Sequence, residues 1–107
     1  MPVYYVFLSE PLNWVKDVPD GRKRAMALIL MPYYANYLGL QDEEVLEVCR
    51  GFIENSCKNF NNCGEIYESW LRSQLKTVRN NKYKVISRSK LQKEHPDLYA
   101  ALANIFP

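Results

Sequence analysis

The sequence predicts an all-α protein: a compact bundle of about five helices, preceded by an extended N-terminal lead-in. Apolar residues recur at the helical period in successive stretches between residues 20 and 107. Polar residues and glycines mark helix starts and ends between these stretches. Of the 107 residues, 48% are hydrophobic, so one domain can bury an adequate core without disulfides or a metal. We therefore predict a lead-in over residues 1–19, packed on a helical domain over residues 20–107.

The first predicted helix spans residues 21–38 and is the central one. Asp20 is a suitable N-cap, and Gly39 is a suitable stop in the left-handed conformation. Apolar residues cover almost the whole circumference of this helix, which is typical of a buried helix. We expect Pro32 to kink it, because proline removes one hydrogen bond of the helical ladder.

Four further helices are predicted along the chain. The second has three acids in its first turn, the favourable polarity for the helix dipole, and is followed by an Asn-rich loop over residues 55–65. The fifth starts at Pro96, because proline is favoured at the first helical position. The predicted bounds of the second, third and fourth helices are residues 42–55, 66–80 and 89–94.

The lead-in and the cysteines limit the class of protein. The stretch VYYVFL has the composition of a strand but no second strand to pair with. The N-terminus lacks the features of a signal peptide, and no stretch approaches the roughly 20 apolar residues of a membrane span. We therefore expect a cytoplasmic protein without membrane contact. Three cysteines, Cys49, Cys57 and Cys63, are an odd number and argue against a disulfide framework.

Charge is distributed very unevenly, although the net charge is only +2. Residues 41–69 contain seven acids and two bases, whereas residues 70–93 contain eight bases and no acid. A basic half of this kind attracts phosphates even when the average charge does not.

Two basic clusters are the candidate phosphate-binding residues. The stretch DGRKRA places three cations beside the free N–H groups of a helix start, where an anion is favourably bound. A second set follows at i, i+4 and i+7 on one side of the third helix, next to aromatic residues that suit single-stranded nucleic acid. The two sets are Arg22, Lys23 and Arg24, and Arg72, Lys76 and Arg79. Candidates for base stacking or support are Tyr33, Tyr34, Trp70 and Ser73.

Metal binding and catalysis by this chain are not expected. The three cysteines and His95 do not have the spacing of a zinc site, and Cys49 falls on the buried side of the second helix. No Ser–His or Cys–His pairing, no pair of catalytic carboxylates and no Gly-rich phosphate loop is indicated.

The sequence resembles the helix-bundle accessory domain of archaeo-eukaryotic primases over roughly residues 14–99. The likeness lies in the DGRKRA helix start, the G-L-x-x-E-E-V-L start of the second helix and the stretch S-W-x-R-S-Q. It is strongest to the archaeal noncatalytic primase subunit PriX and to the helical domain of archaeal plasmid primase-polymerases. Both are similar to the C-terminal domain of the primase large subunit, whose iron–sulfur cluster needs four cysteines. With three cysteines, no cluster is expected here.

The resemblance implies a binding role in primer initiation. Such domains hold the single-stranded template DNA and the initiating nucleoside triphosphate, ATP or another. The phosphodiester chemistry belongs to a separate catalytic domain or subunit, and Mg²⁺ enters only with the nucleotide or in that core. By position, Arg22, Lys23 and Arg24 match the basic helix start of the family. Trp70, Arg72, Ser73 and Lys76 match its second motif.

Two other functions remain open from the sequence. In a helix-turn-helix protein, the third helix would read duplex DNA with Arg72, Gln74 and Lys76. The loop over residues 55–65 is, however, much longer than the three or four residues usual for that motif. Alternatively, the chain is a protein-docking module of a replication complex, with the acidic second helix facing a basic partner.

Overall fold

The computed structural model describes residues 21–102, and this part of the chain is all-α, as predicted. Five helices follow one another, and no strand occurs among these residues. The predicted lead-in over residues 1–19, the Asp20 cap and the last residues of the fifth helix lie outside the described range. None of the described helices is long and apolar enough to cross a membrane.

Helix α1, residues 22–37, begins with an α-helical turn and continues with two π-helical segments on either side of Met31. These parts are Arg22–Ala25, Met26–Leu30 and Pro32–Tyr37. The residue that precedes the helix is Gly21, with φ at 77°, and Gly39 follows it with φ at 71°, the left-handed stop that was predicted.

Pro32 shapes the middle of α1. Proline has no N–H, so it cannot donate to the carbonyl of Leu28, four residues earlier. The amide of Ile86 donates to that carbonyl, at 3.1 Å. The carbonyl that Pro32 leaves free thus becomes a docking point for the segment over residues 81–87.

Helix α2, Asp42–Phe60, is five residues longer than predicted. Its start has a capping box between Gln41 and Glu44, and Asn61 ends it in the left-handed conformation with φ at 55°. Because the chain reverses at Asn61, Cys63 returns alongside Cys57. The two form a disulfide with a Cα–Cα distance of 4.4 Å. The odd count argued against a disulfide framework, but it leaves room for one bridge and one free thiol, and the structure has both.

The remaining helices are α3, Glu68–Asn80, α4, Arg88–Glu94, and α5, Pro96–Leu102. The start of α3 lies two residues later than predicted, and Tyr67, which precedes it, is exposed in extended backbone. The Ser87 side chain accepts a hydrogen bond from the Lys90 amide and caps α4. Pro96 begins α5 as predicted.

The core of the bundle surrounds α1. Nine residues of α1 are buried, and apolar residues of the other four helices pack around them. Cys49 of α2 is fully buried among them, and burial raises the pKa of its thiol to about 12. The buried residues contributed by α2 to α5 include Val45, Leu46, Phe52, Leu71, Leu75, Val78, Leu91, Leu98 and Leu102.

Candidate functional site

A cleft of about 240 Å³ lies between the start of α1 and the loop that joins α2 to α3. This cleft, which we call the Arg22 cleft, includes two of the predicted cations. Its lining residues are Gly21, Arg22, Lys23, Asn62, Glu65 and Ile66. The loop residues were not predicted from the sequence. The Asn-rich composition with one glycine indicated a loop but not that the loop faces α1.

Arg22 has unused hydrogen-bonding capacity in this cleft. Its Nη2 donates to the Gly64 carbonyl at 2.7 Å, and a Cβ on Gly64 would lie 3.2 Å from that nitrogen. Its Nη1 is buried and has no hydrogen-bond partner among the described residues. A buried polar group without a partner is uncommon and costs free energy. This nitrogen is therefore a hydrogen-bond donor with unused capacity.

Lys23 lies over the indole ring of Trp70. The Lys23 Nζ is 5.1 Å from the ring centroid, within the range of a cation–π contact. Two residues predicted from separate motifs are therefore brought together by the packing of α1 against α3. One face of the Trp70 ring, predicted to stack on a base, is covered by this ammonium group.

Arg24 faces α5 rather than the cleft. Its guanidinium donates twice to the Asp97 carboxylate, with Nη1–Oδ1 at 2.9 Å and Nη2–Oδ2 at 2.5 Å. These bonds hold the pKa of Asp97 well below its usual range. Gly21 makes room for this pair, because a Cβ there would lie 2.8 Å from Arg24 Nη2. Arg24 thus joins α1 to α5.

Arg72 belongs to an ion-pair network between α2 and α3. Its Nη1 lies 2.8 Å from Glu43 Oε1, and its Nε lies 3.1 Å from Glu68 Oε2. Arg50 contacts Glu68 at 2.7 Å and Glu47 at 3.0 Å, and its hydrogen bond lowers the pKa of Glu68. The acidic and basic halves of the sequence therefore partly neutralise each other here, and the predicted phosphate ligand Arg72 is already paired.

Arg79, also predicted to contact phosphate, holds the end of α1 against α2. Its Nε lies 2.5 Å from Asp42 Oδ1, its Nη1 donates to the Ala35 carbonyl at 3.3 Å, and its Nη2 donates to the Leu40 carbonyl. The side chain is only 30% exposed. Carbonyls at a helix end need such donors, so the role of Arg79 is structural.

Lys76 and Ser73 remain on the exposed side of α3. The Lys76 ammonium takes part in no ion pair within residues 21–102. The backbone carbonyl of Ser73 accepts a hydrogen bond from the Thr77 hydroxyl at 3.2 Å. Of the predicted stripe, Lys76 is the cation without an ion pair among the described residues, since Arg72 and Arg79 are paired.

Tyr33 and Tyr34 are core residues. Their rings meet edge to face at 5.0 Å, and Tyr33 also stacks on Tyr37 at 5.3 Å. Tyr34 is 3% exposed, and burial raises its pKa to about 12. Both rings are enclosed in the core, so of the two predicted roles support fits their burial and stacking on a base does not.

The described residues contain no group of three or more His, Cys, Asp and Glu side chains that could hold a metal ion. Of the thiols considered as ligands, Cys57 and Cys63 are joined in the disulfide and Cys49 is enclosed in the core.

Comparison with protein families identifies the chain. The sequence matches the family described as PriX, Primase X, over residues 12–106, which is most of its length. No curated protein matches the sequence significantly. The family match confirms the resemblance indicated by the DGRKRA and S-W-x-R-S-Q stretches. The chain therefore belongs to the Primase X (PriX) family.

Proposed function

We propose that this chain is a noncatalytic helix-bundle domain of a DNA primase or primase-polymerase. It binds single-stranded template DNA and the initiating nucleoside triphosphate, ATP or another, and supports primer initiation in the cytoplasm. Membership of a primase family supports the role in replication. The observation that carries the nucleotide site is the buried, unpartnered Nη1 of Arg22 in the Arg22 cleft.

The Arg22 cleft suits a phosphate group for three reasons. Arg22 supplies a forked donor, which matches phosphate oxygens. The first hydrogen bond of α1 runs from the Ala25 amide to the Gly21 carbonyl, so the amides of Arg22 and Lys23 have no acceptor within the helix. The positive end of the helix dipole points the same way.

Lys23 and Trp70 extend the site from phosphate to base. When a triphosphate occupies the cleft, the Lys23 ammonium moves from the indole ring to a phosphate oxygen. The Trp70 face that it leaves then accepts a base by stacking, a contact that tolerates any base. Lys76, exposed on α3, adds a cation for the template backbone. Arg24, Arg72 and Arg79 are left out of this site because their guanidinium groups are already paired.

Glu65 defines which form of the nucleotide binds. Its carboxylate lines the cleft and repels a bare phosphate chain. A triphosphate that carries Mg²⁺ has a lower net charge and presents a cation to this carboxylate. The cleft therefore prefers the Mg²⁺ complex, and the metal arrives with the nucleotide. Bond formation takes place in a separate catalytic domain or subunit of the primase, which is the protein partner.

The helix-turn-helix alternative finds less support in the structure. The connection between α2 and α3 covers residues 61–67, longer than the three or four residues of that motif. The guanidinium of Arg72, which would read bases, is paired with Glu43 and Glu68.

The nucleotide site is tested by titrating ATP with Mg²⁺ into the wild type and two variants, Arg22→Ala and Arg72→Ala. Both variants lose one arginine, but only Arg22 has a buried donor without a partner among the described residues. We expect Arg22→Ala to weaken binding at least about tenfold, equivalent to about 1.4 kcal/mol. Arg72→Ala should change it less than about twofold. Calorimetry measures the affinity, and amide shifts should fall on residues 21–23 and 62–66. Equal losses in the two variants, or none in Arg22→Ala, would refute the site.

A further inference from the structure

A second cleft, of about 510 Å³, lies on another side of α1. It is bounded by α1, by the connector over residues 81–87 and by α4. Its floor includes the apolar residues Leu28 and Ile86, and its rim includes Tyr83, Lys84 and Lys90, with Glu94 and His95 at one end. We call it the connector cleft. It contains none of the residues predicted from the sequence as phosphate ligands.

The connector is held in place by hydrogen bonds, so the cleft is already formed. The Asn36 side chain donates to the carbonyls of Val78, at 3.1 Å, and Tyr83, at 2.7 Å. The Ile86 amide donates to the Leu28 carbonyl, which Pro32 cannot serve. A cleft that needs no ordering on binding loses less conformational entropy when a ligand enters.

The charge around this cleft is strongly positive and, at its rim, unpaired. Residues 81–93 contain five cations and no acid. Lys84 and Lys90 are exposed and form no ion pair within the described part of the chain. Arg72 and Arg79, by contrast, are paired with acids of α2. Among the described residues that line the cleft, Glu94 is the one acid.

An aromatic ring stands beside these lysines. Tyr83 is 48% exposed, and the apolar floor of the cleft lies next to it. Cations that track a backbone, combined with an open aromatic ring, are the two components of a site for single-stranded nucleic acid. A duplex keeps its bases stacked inside, so it cannot use the ring or the floor.

We propose that the connector cleft binds a single strand of nucleic acid, with backbone phosphates at Lys84 and Lys90 and a base against Tyr83 and the apolar floor. This inference rests on the proposed function for its ligand class, but it assigns the strand a site distinct from the Arg22 cleft. Lys23 and Leu28 are five residues apart on α1, at most about 8 Å along the helix axis. The two clefts therefore lie close together along α1, and they share no lining residue among those described.

The test measures two affinities on the full chain. Fluorescence anisotropy with a labelled oligodeoxynucleotide reports strand binding, and calorimetry reports binding of ATP with Mg²⁺. We expect Lys84→Ala/Lys90→Ala to weaken strand binding about tenfold at low salt and to reduce the slope of log affinity against log salt by about 1.4. ATP affinity should stay the same. The control is Lys58→Ala, which removes one exposed charge at the end of α2 and should change strand affinity much less than the double variant does. Circular dichroism checks that every variant is folded.

The Tyr83 contact has its own pair of variants. Tyr83→Ala should weaken strand binding at least about fivefold, whereas Tyr83→Phe, which keeps the ring, should bind like the wild type. A blunt duplex of the same length should bind more weakly than the strand and be insensitive to Tyr83→Ala.

The outcomes separate this inference from the proposed function. If strand binding falls in Arg22→Ala but not in Lys84→Ala/Lys90→Ala, the connector cleft is not the site, although the nucleotide-binding function stands. Loss of both ligands in both variants means one shared site and also overturns the inference. If polyglutamate competes with the strand as well as unlabelled strand does, the cleft is an acidic-protein surface and the inference fails.

Discussion

The start of α1 and the exposed side of α3 carry the same number of predicted phosphate ligands, yet the two regions differ in what their cations already bind. On α3, Arg72 contacts two glutamates and Arg79 contacts Asp42 and two carbonyls. At the start of α1, Arg22 keeps a buried nitrogen without a partner among the described residues. Cation count alone therefore does not locate an anion site. The hydrogen-bonding capacity that the fold leaves unused is the better guide.

Replacing Arg79 should give the largest effect on stability. Arg79→Ala removes the ion pair with Asp42 and leaves the carbonyls of Ala35 and Leu40 without this donor. We expect the free energy of unfolding to fall by about 2 kcal/mol, measured by urea denaturation. Lys76→Ala, an exposed cation of the same stripe, should leave it unchanged. If Arg79→Ala keeps its stability but binds nucleotide more weakly, Arg79 is a phosphate ligand and its structural role is refuted.

The pair between Arg24 and Asp97 should produce a smaller, pH-dependent effect. The pKa of Asp97 is lowered by the guanidinium, whereas an unfolded aspartate titrates near 3.9. The stabilisation is thus complete above about pH 5 and is lost as the pH falls below the unfolded value. Asp97→Asn should lower the melting temperature at pH 7, and its difference from the wild type should shrink towards pH 2. Glu54→Gln, an exposed acid of α2, is the control, and a constant Asp97→Asn difference across this range contradicts the pairing.

Replacing Arg72 should have the smallest effect. Its partners Glu43 and Glu68 are exposed, and Glu68 keeps its contact with Arg50. Exposed pairs of this kind contribute little, so the loss of unfolding free energy in Arg72→Ala, again by urea denaturation, should be well below the value expected for Arg79→Ala. The loss should diminish further at high salt, because ions screen exposed charges. A salt-independent loss above that value would show that Arg72 packs as a core residue does.

Features encoded by neighbouring residues could be predicted from the sequence. The helical class, the stop at Gly39, the start of α5 at Pro96 and the acidic first turn of α2 depend on local backbone preferences, and the structure confirms them. The end of α2 was misjudged because asparagines are weak helix formers and indicated a loop, whereas the helix continues through them to Phe60.

Features that join distant segments could not be predicted from local patterns. Arg72 pairs with Glu43, 29 residues earlier, and Arg79 pairs with Asp42, 37 residues earlier. The wall of the Arg22 cleft comes from the α2–α3 loop. The burial of Tyr34 follows from α1 being enclosed on all sides, which the apolar pattern of that helix did indicate. Which cation stays unpaired depends on the assembled fold.

The single free thiol can report how often the helix bundle opens. Cys49 is fully enclosed, whereas Cys57 and Cys63 are joined to each other. A thiol reagent therefore has one target among the described cysteines, and it reaches that target only in moments when the bundle opens. The rate of labelling counts these openings under native conditions, in the same way that amide exchange does. A ligand that binds the closed form lowers the labelling rate in proportion to its occupancy. The labelling rate of Cys49 therefore reports ligand binding without any attached probe.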